Sequence, residues 1–159
     1  MKWLNHRLIG FAVPFIITGD VWLSVASSVF STIPDSIETL GGRPHRYKGL
    51  MKHRGASHHP ITWIGIFFLA WAGYSSFVRP LIASLSLAKF GATVFTSFLW
   101  GVSLHLVCDL LTKNGLPLSF NGNRRASVSS LRTGSVTEYV IALALFSFSI
   151  WMRLGRKLL

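Results

Sequence analysis

Acidic side chains and cysteine are scarce in this sequence. Its 159 residues include 5 acidic and 16 basic side chains and a single cysteine, Cys108. One cysteine excludes a disulfide bond within the chain. Charged residues of both signs form only 13% of the sequence, whereas ordinary soluble domains contain about 25%. The composition therefore argues against an ordinary charge-rich soluble domain.

Apolar side chains take the place of the missing charge. Half of the residues are hydrophobic and the mean hydropathy is +0.48. The formal net charge of +11 is typical of proteins that bind nucleic acid or an anionic membrane surface. Long apolar runs rich in Trp and Phe favour the membrane, and no specific nucleic acid is expected. The opening "MKWLNHRLIGFAVPF" lacks a small-residue cleavage site, so we interpret it as a retained helix rather than a signal peptide.

Five apolar segments divide the chain, at residues 8–18, 21–33, 61–78, 81–112 and 136–152. The first two are shorter than the ~20 residues that span a bilayer. Because the turn-favouring pair Gly19-Asp20 joins them, we predict a short antiparallel helical hairpin. Lys89 to Gly91 could mark a break in the fourth segment. The sequence thus predicts an all-α integral membrane bundle of about five helices, in a single domain over residues 1–159.

Two ionisable residues lie near the end of the fourth apolar segment. His105 and Asp109 are four residues apart in "SLHLVCDLLTKNG", so a helix places both on one face. Ionisable groups inside apolar helices are costly and mark candidate functional sites. The pair could chelate a divalent ion, or it could form a neutral hydrogen-bonded pair that ties helices together. The spacing alone leaves both interpretations open.

Tracing the predicted helices back and forth brings most of the other histidines and acids to the same membrane surface. The candidate site residues on this side are His6, Asp35, His53, His58, His105, Asp109 and Glu138. Most of the basic residues fall on this side as well, so the positive-inside rule predicts that it faces the cytoplasm. His59 is expected to turn away from the site.

With these residues in order, the chain resembles the membrane-bound metal-dependent hydrolase family, the YdjM-like group of bacterial inner-membrane proteins. The resemblance rests on "NHR" with His6, "IPDS" with Asp35, "HRGASH" with His53 and His58, "SLHLVCDLLTKNGLPL", and "GSVTEY" with Glu138. It covers nearly the whole chain. The family is distantly similar to zinc-dependent phospholipase C and P1-type nucleases, which are all-helical enzymes with clustered metal ions.

One motif departs from the family pattern. Where the family has "PDxD", this chain has Ile37 in the place of the second acid, followed by Glu38. Glu38 could substitute for the missing acid from the next position, or one metal position could be weakened.

The resemblance implies a multi-pass inner-membrane hydrolase with one to three divalent ions, zinc being the expected metal. Its implied ligands are His6, Asp35, His53, His58, His105, Asp109 and Glu138. Asp35 or Glu138 would take the proton from the attacking water. Arg54, Arg124 and Arg125 would bind an anionic phosphoester, such as a lipid phosphodiester at the cytoplasmic face.

Two other functions stay open for the sequence. The chain could be a non-enzymatic membrane protein with a structural metal site that acts through protein partners. It could also be a phosphoesterase or nuclease that acts on a soluble substrate.

Overall fold

The computed structural model describes residues 1–40, 55–78, 85–120 and 124–155. Its helices are α1 (Trp3–Thr18), α2 (Val21–Phe30), α3 (Ile33–Leu40), α4 (Pro60–Gly73), α5 (Leu85–Leu110) and α6 (Val136–Gly155). A 3-10 turn at Ala56–His58 precedes α4, and a π-helical turn at Tyr74–Val78 follows it. The strands β1 (Leu116–Pro117) and β2 (Arg125–Ala126) pair antiparallel, with Leu116 opposite Ala126. The predicted all-α class is confirmed, and this small sheet is an addition that the apolar pattern did not indicate.

The turn between α1 and α2 is built by two capping residues. Gly19 adopts a left-handed conformation (φ 72°), and its N–H donates to the carbonyl of Phe15 at 3.0 Å. Asp20 caps the next helix, since its carboxylate accepts a hydrogen bond from the N–H of Leu23 at 3.0 Å. The predicted helical hairpin is confirmed.

Helix α5 runs without interruption from Leu85 to Leu110. The prediction of a break from Lys89 to Gly91 is wrong. A glycine inside a helix costs only about 1 kcal/mol relative to alanine, and 26 residues of continuous helix offset that cost. Conversely, the second predicted segment ends early, at Phe30, and α3 begins at Ile33. Pro34 lies in the first turn of α3, where proline is tolerated.

Helices α1, α2 and α5 approach one another through glycine and serine. A Cβ at Gly101 of α5 would lie 2.5 Å from the carbonyl oxygen of Ser27, and one at Gly10 of α1 would lie 2.9 Å from the side chain of Ser31. Ser27 and Ser31 are both buried. These small residues bring the end of α2 against α5 one turn before His105, which sets the depth of the site.

Two of the described helices are long and apolar enough to cross a membrane, Leu87–Leu110 and Val136–Gly155. Large apolar side chains are also exposed on the surface of the bundle, among them Trp22, Phe68 and Trp151. Such extensive apolar exposure is expected where a surface meets lipid rather than water.

Candidate metal centre

Side chains from four parts of the chain converge at one end of the bundle. They are His6 of α1, Asp35 of α3, His58 of the 3-10 turn, and His105 and Asp109 of α5. Their ligating atoms form two groups that could each hold a metal ion, and within each group the atoms lie within 4.8 Å of one another. The first group is His6, His105 and Asp109, and the second is Asp35, His58 and His105. His105 belongs to both, so the structure brings five of the predicted residues into one cluster.

The orientation of His105 is fixed by the backbone of α2. Its Nδ1 lies 2.6 Å from the carbonyl oxygen of Ser31. Because a carbonyl can only accept, Nδ1 carries the proton of the neutral ring, and Nε2 is left with its lone pair directed at the cluster. Metal-binding histidines characteristically donate their second N–H in this way.

His58 is oriented by a carboxylate and a hydroxyl. Its Nδ1 lies 3.2 Å from Oε1 of Glu38 and 3.0 Å from Oγ of Ser57, and the Ser57 hydroxyl donates to Glu38 at 3.2 Å. Glu38 therefore stands behind His58 and supports its ring, and among the described residues it belongs to neither group of candidate ligands. This role for Glu38 was not predicted from the sequence.

The Nε2 atoms of His58 and His105 face each other at 3.1 Å. Two neutral rings anchored through Nδ1 would direct two lone pairs at each other, an arrangement that requires a cation between them, either a proton or a metal ion. Asp35 Oδ1 lies 3.1 Å from the Nε2 of His58 and 3.8 Å from that of His105, and Asp109 Oδ2 lies 3.5 Å from both.

These separations match the edges of a metal coordination tetrahedron. With metal–ligand distances of 2.0–2.1 Å, two ligands of a tetrahedral ion are about 3.3 Å apart. The donors are imidazole nitrogen and carboxylate oxygen, a set that suits zinc. The residues present therefore fit a divalent ion at this position.

His6 adds a further imidazole on the other side of His105. The two rings stack with centroids 3.9 Å apart, and His6 Nε2 lies 3.5 Å from Asp109 Oδ1. Neither ring nitrogen of His6 makes a hydrogen bond within the part of the chain that the structure describes, although the side chain is buried. The α-amino group of Met1 donates to the same Asp109 oxygen. A buried imidazole without a hydrogen-bond partner is costly, and a metal ion at this position would supply one.

Glu138 lies outside both groups of candidate ligands in the described chain. Its Oε1 accepts hydrogen bonds from the backbone N–H of Lys2 at 2.7 Å and from Nδ2 of Asn5 at 2.5 Å, and its Oε2 accepts one from the N–H of Gly134 at 2.6 Å. The carboxylate therefore holds the beginning of α1, the helix that carries His6. These contacts give Glu138 a positioning role, and its expected role as ligand or base stays a prediction.

Residues 1–157 match the family described as YdjM inner membrane protein. The chain belongs to this family. No curated protein and no solved structure matches the chain. Together with the two candidate membrane spans, this membership identifies an inner membrane protein.

Two further residues implied by the family resemblance, Arg124 and Arg125, belong to neither group of candidate ligands. Arg124 and Arg125 are exposed at the small sheet, where Arg125 Nη1 donates to the carbonyl of Asn114 at 3.3 Å. His53 and Arg54 lie outside the described residues. His59 caps α4, since its Nδ1 accepts from the N–H of Ile61 at 3.3 Å, and its ring stacks on Phe120.

The pKa values of two histidines in the cluster shift in opposite directions. Burial lowers the pKa of His6 to about 4, so its ring is neutral at physiological pH. Burial also acts to lower the pKa of His58, but the hydrogen bonds to Asp35 and Glu38 outweigh it and raise that pKa. For Asp35, burial acts to raise the pKa, and the hydrogen bond from His58 and the neighbouring histidine charges bring it below its usual value. Without a metal, His58 thus binds a proton more readily than a free imidazole, and a metal ion would compete with that proton.

Proposed function

We propose that this protein is a membrane-bound metal-dependent hydrolase of phosphoesters, with a lipid phosphodiester as the favoured substrate. One observation carries the proposal: the Nε2 atoms of His58 and His105 face each other at 3.1 Å between two carboxylates. Zinc is the expected ion, and the shared His105 suits one or two ions in the described cluster. A third ion would need ligands such as His53, which the structure does not describe.

The residues of the cluster have different roles in the proposed reaction. His105 and His58 would hold the metal, and Ser31 and Glu38 determine the orientations of these two rings. A divalent ion bound there supplies Lewis-acid chemistry, which raises the acidity of a water and the electrophilicity of an ester. Asp35 is the most accessible member, with 15% of its side chain exposed where Asp109 has 0%. We therefore assign the acceptance of the water proton to Asp35, and we reassign Glu138 from base to the anchoring of α1.

We further propose that the protein crosses the membrane more than once and that the centre faces the cytoplasm. The exposed basic side chains at the cluster end include Lys2, Arg7, Lys113, Arg124, Arg125 and Arg132. The opposite end of the described chain carries Lys89 and Arg153. This asymmetry agrees with the positive-inside rule, and the same charges would attract an anionic ester.

A structural metal site is the second candidate, and one observation favours it. The side chains of His6, His58, His105 and Asp109 are completely buried, and structural zinc sites are typically closed to solvent. In that case the protein would act through partners, with the metal tying α1, α3 and α5 together.

Metal content and turnover, measured on the same purified samples, separate the two candidates. We expect stoichiometric zinc in the wild type after reconstitution, and hydrolysis of a phosphodiester. His58→Ala should lose the metal, because it removes a ligand whose Nε2 lies at the centre of the cluster.

The neighbouring histidine supplies the matched control. His59→Asn keeps a side chain that caps α4, and it should retain the metal. Metal without turnover would favour the structural site. A wild type that takes up no stoichiometric metal would exclude both candidates.

A further inference from the structure

An apolar groove lies beside the metal centre, between α4 and α5. Its volume is about 240 Å³, and its walls include Trp63, Ile64, Phe67, Leu106, Val107 and Leu110. The rim is open, since Ile64 is 64% exposed and Val107 is 50% exposed. The proposed reaction uses none of these side chains.

The residues that line the groove neighbour the cluster residues along the chain. Leu106 and Leu110 directly follow the cluster residues His105 and Asp109 in α5. On the other side, the indole N–H of Trp63 donates to the carbonyl of Ser57 at 2.6 Å, next to His58. With a rise of about 1.5 Å per residue, the groove therefore lies at the level of the cluster along α5.

The position of the groove along α5 indicates whether it faces lipid or water. Helix α5 is a candidate membrane span from Leu87 to Leu110, and the cluster occupies its last two turns. From Leu110 back to Ser103 the groove follows the helix inward for roughly 10 Å, at 1.5 Å per residue. An open apolar groove at this position faces lipid, and a hydrocarbon chain fills it without burying a polar group.

We propose that this groove receives one acyl chain of the lipid whose phosphoester is presented to the metal centre. The proposal rests on the proposed function, because it takes a phospholipid as the substrate of the same site. A chain held along α5 places its polar end at the level of His105 and Asp109. The groove thus distinguishes a lipid ester from a soluble one that offers the same phosphodiester group.

Filling the groove tests the proposal against turnover. Ser103 lines the groove and is exposed, so Ser103→Trp should block it without disturbing the core. Ala92→Trp, at an exposed position of the same helix, is the control. We expect Ser103→Trp to lower kcat/KM for long-chain phospholipid vesicles by at least about tenfold, the affinity equivalent of two buried methylenes. Hydrolysis of bis(p-nitrophenyl) phosphate, which has no acyl chain, should stay unchanged. Equal effects on the two esters, or the same effect from Ala92→Trp, would overturn the proposal.

Photo-crosslinking tests the groove independently of turnover. The full chain is reconstituted in nanodiscs with phosphatidylglycerol that carries a diazirine in its acyl chain. We expect adducts on the peptide containing Leu106 and Val107, reduced at least about tenfold by Ser103→Trp and unchanged by Ala92→Trp. If the wild type hydrolyses neither ester, the proposed function fails. The labelling alone then shows whether an acyl chain occupies the groove. Labelling that is equal in all three proteins, or a change of oligomeric state in Ser103→Trp with labelling unaltered, would overturn the lipid assignment.

Discussion

The two ends of the helical bundle differ in how their polar groups are paired. At the end away from the cluster, Arg153 of α6 donates from Nε to the carbonyl of Phe15 at 3.0 Å and from Nη2 to that of Ile16 at 2.5 Å. These donors meet carbonyls in the last turn of α1, where the helix leaves some carbonyls without a partner of its own, and the carbonyl of Phe15 also accepts from the N–H of Gly19. At the cluster end, His58 and His105 present acceptors to each other and to two carboxylates.

The difference separates a structural contact from a candidate binding site. The contact of Arg153 contains its own donors and acceptors, and it needs nothing further. The cluster contains an excess of acceptors, so a proton or a metal ion must complete it. Complementarity, rather than polarity or burial, is what distinguishes the two ends, and the following experiments test that comparison.

The largest effect is expected from Gly101→Ala. The added Cβ would lie 2.5 Å from the carbonyl oxygen of Ser27, so α5 must move away from α2. We expect destabilisation of about 3 kcal/mol together with loss of bound metal, because the carbonyl of Ser31 would no longer meet His105. Thermal unfolding in detergent and metal analysis measure the two effects.

Gly65→Ala is the matched control for this change. Gly65 lies inside α4 with no atom within 4 Å of its added Cβ. It should stabilise the protein by roughly 0.5–1 kcal/mol through helix propensity and leave the metal in place. Equal losses in the two variants would contradict the importance of the close approach at Gly101.

Removing the support behind His58 should weaken the metal without removing a ligand. Glu38→Ala deletes the carboxylate 3.2 Å from His58 Nδ1, and we expect metal affinity to fall by about 10- to 100-fold. Glu38→Gln retains an oxygen that can accept from Nδ1 and should lose less. Competition with a chromophoric chelator measures these affinities, and an unchanged affinity in Glu38→Ala would show that His58 needs no such support.

Acid should destabilise the cluster end of the metal-free protein through His6. Burial lowers the pKa of His6 in the folded protein to about 4 from 6.5. Below pH 6.5, His6 is therefore protonated in the unfolded chain but still neutral in the folded protein. Between pH 6.5 and 5 the wild type should therefore lose about 2 kcal/mol relative to His6→Phe, which has no such group. Chemical unfolding at both pH values, with chelator present, measures the difference. A constant difference between the two proteins would contradict the neutral, buried state of His6.

The smallest effect is expected at the opposite end of the bundle. Arg153→Ala removes two charge-assisted hydrogen bonds to α1, and we expect a loss of about 1.5 kcal/mol of stability. Metal content should not change, since this contact already contains its partners. Loss of metal from Arg153→Ala would show that the two ends are coupled through α1 and that the comparison fails.

Sequence patterns were sufficient for the helices and for the membership of most of the cluster. The spacing of His105 and Asp109 placed both on one face, and tracing the helices brought His6, Asp35 and His58 to the same end. Patterns misjudged Gly91, because a single glycine is a weak signal within a long apolar helix. They do not separate the possible roles of Glu138, because an acid at the beginning of an inward-facing helix gives the same signal whether it binds a metal or a backbone N–H.

By itself the sequence determined an all-α membrane protein, because apolar periodicity and capping pairs act locally, and it predicted a cluster of histidines and acids at one end. Only the tertiary structure decided which nitrogen of each histidine faces the cluster, and that Glu38 stands behind His58 while Glu138 holds α1. Those assignments depend on backbone carbonyls and N–H groups from distant helices, such as Ser31 and Lys2. The side-chain pattern of the sequence does not indicate where these backbone groups lie. Their positions follow from the packing of α2 against α5 at Gly101.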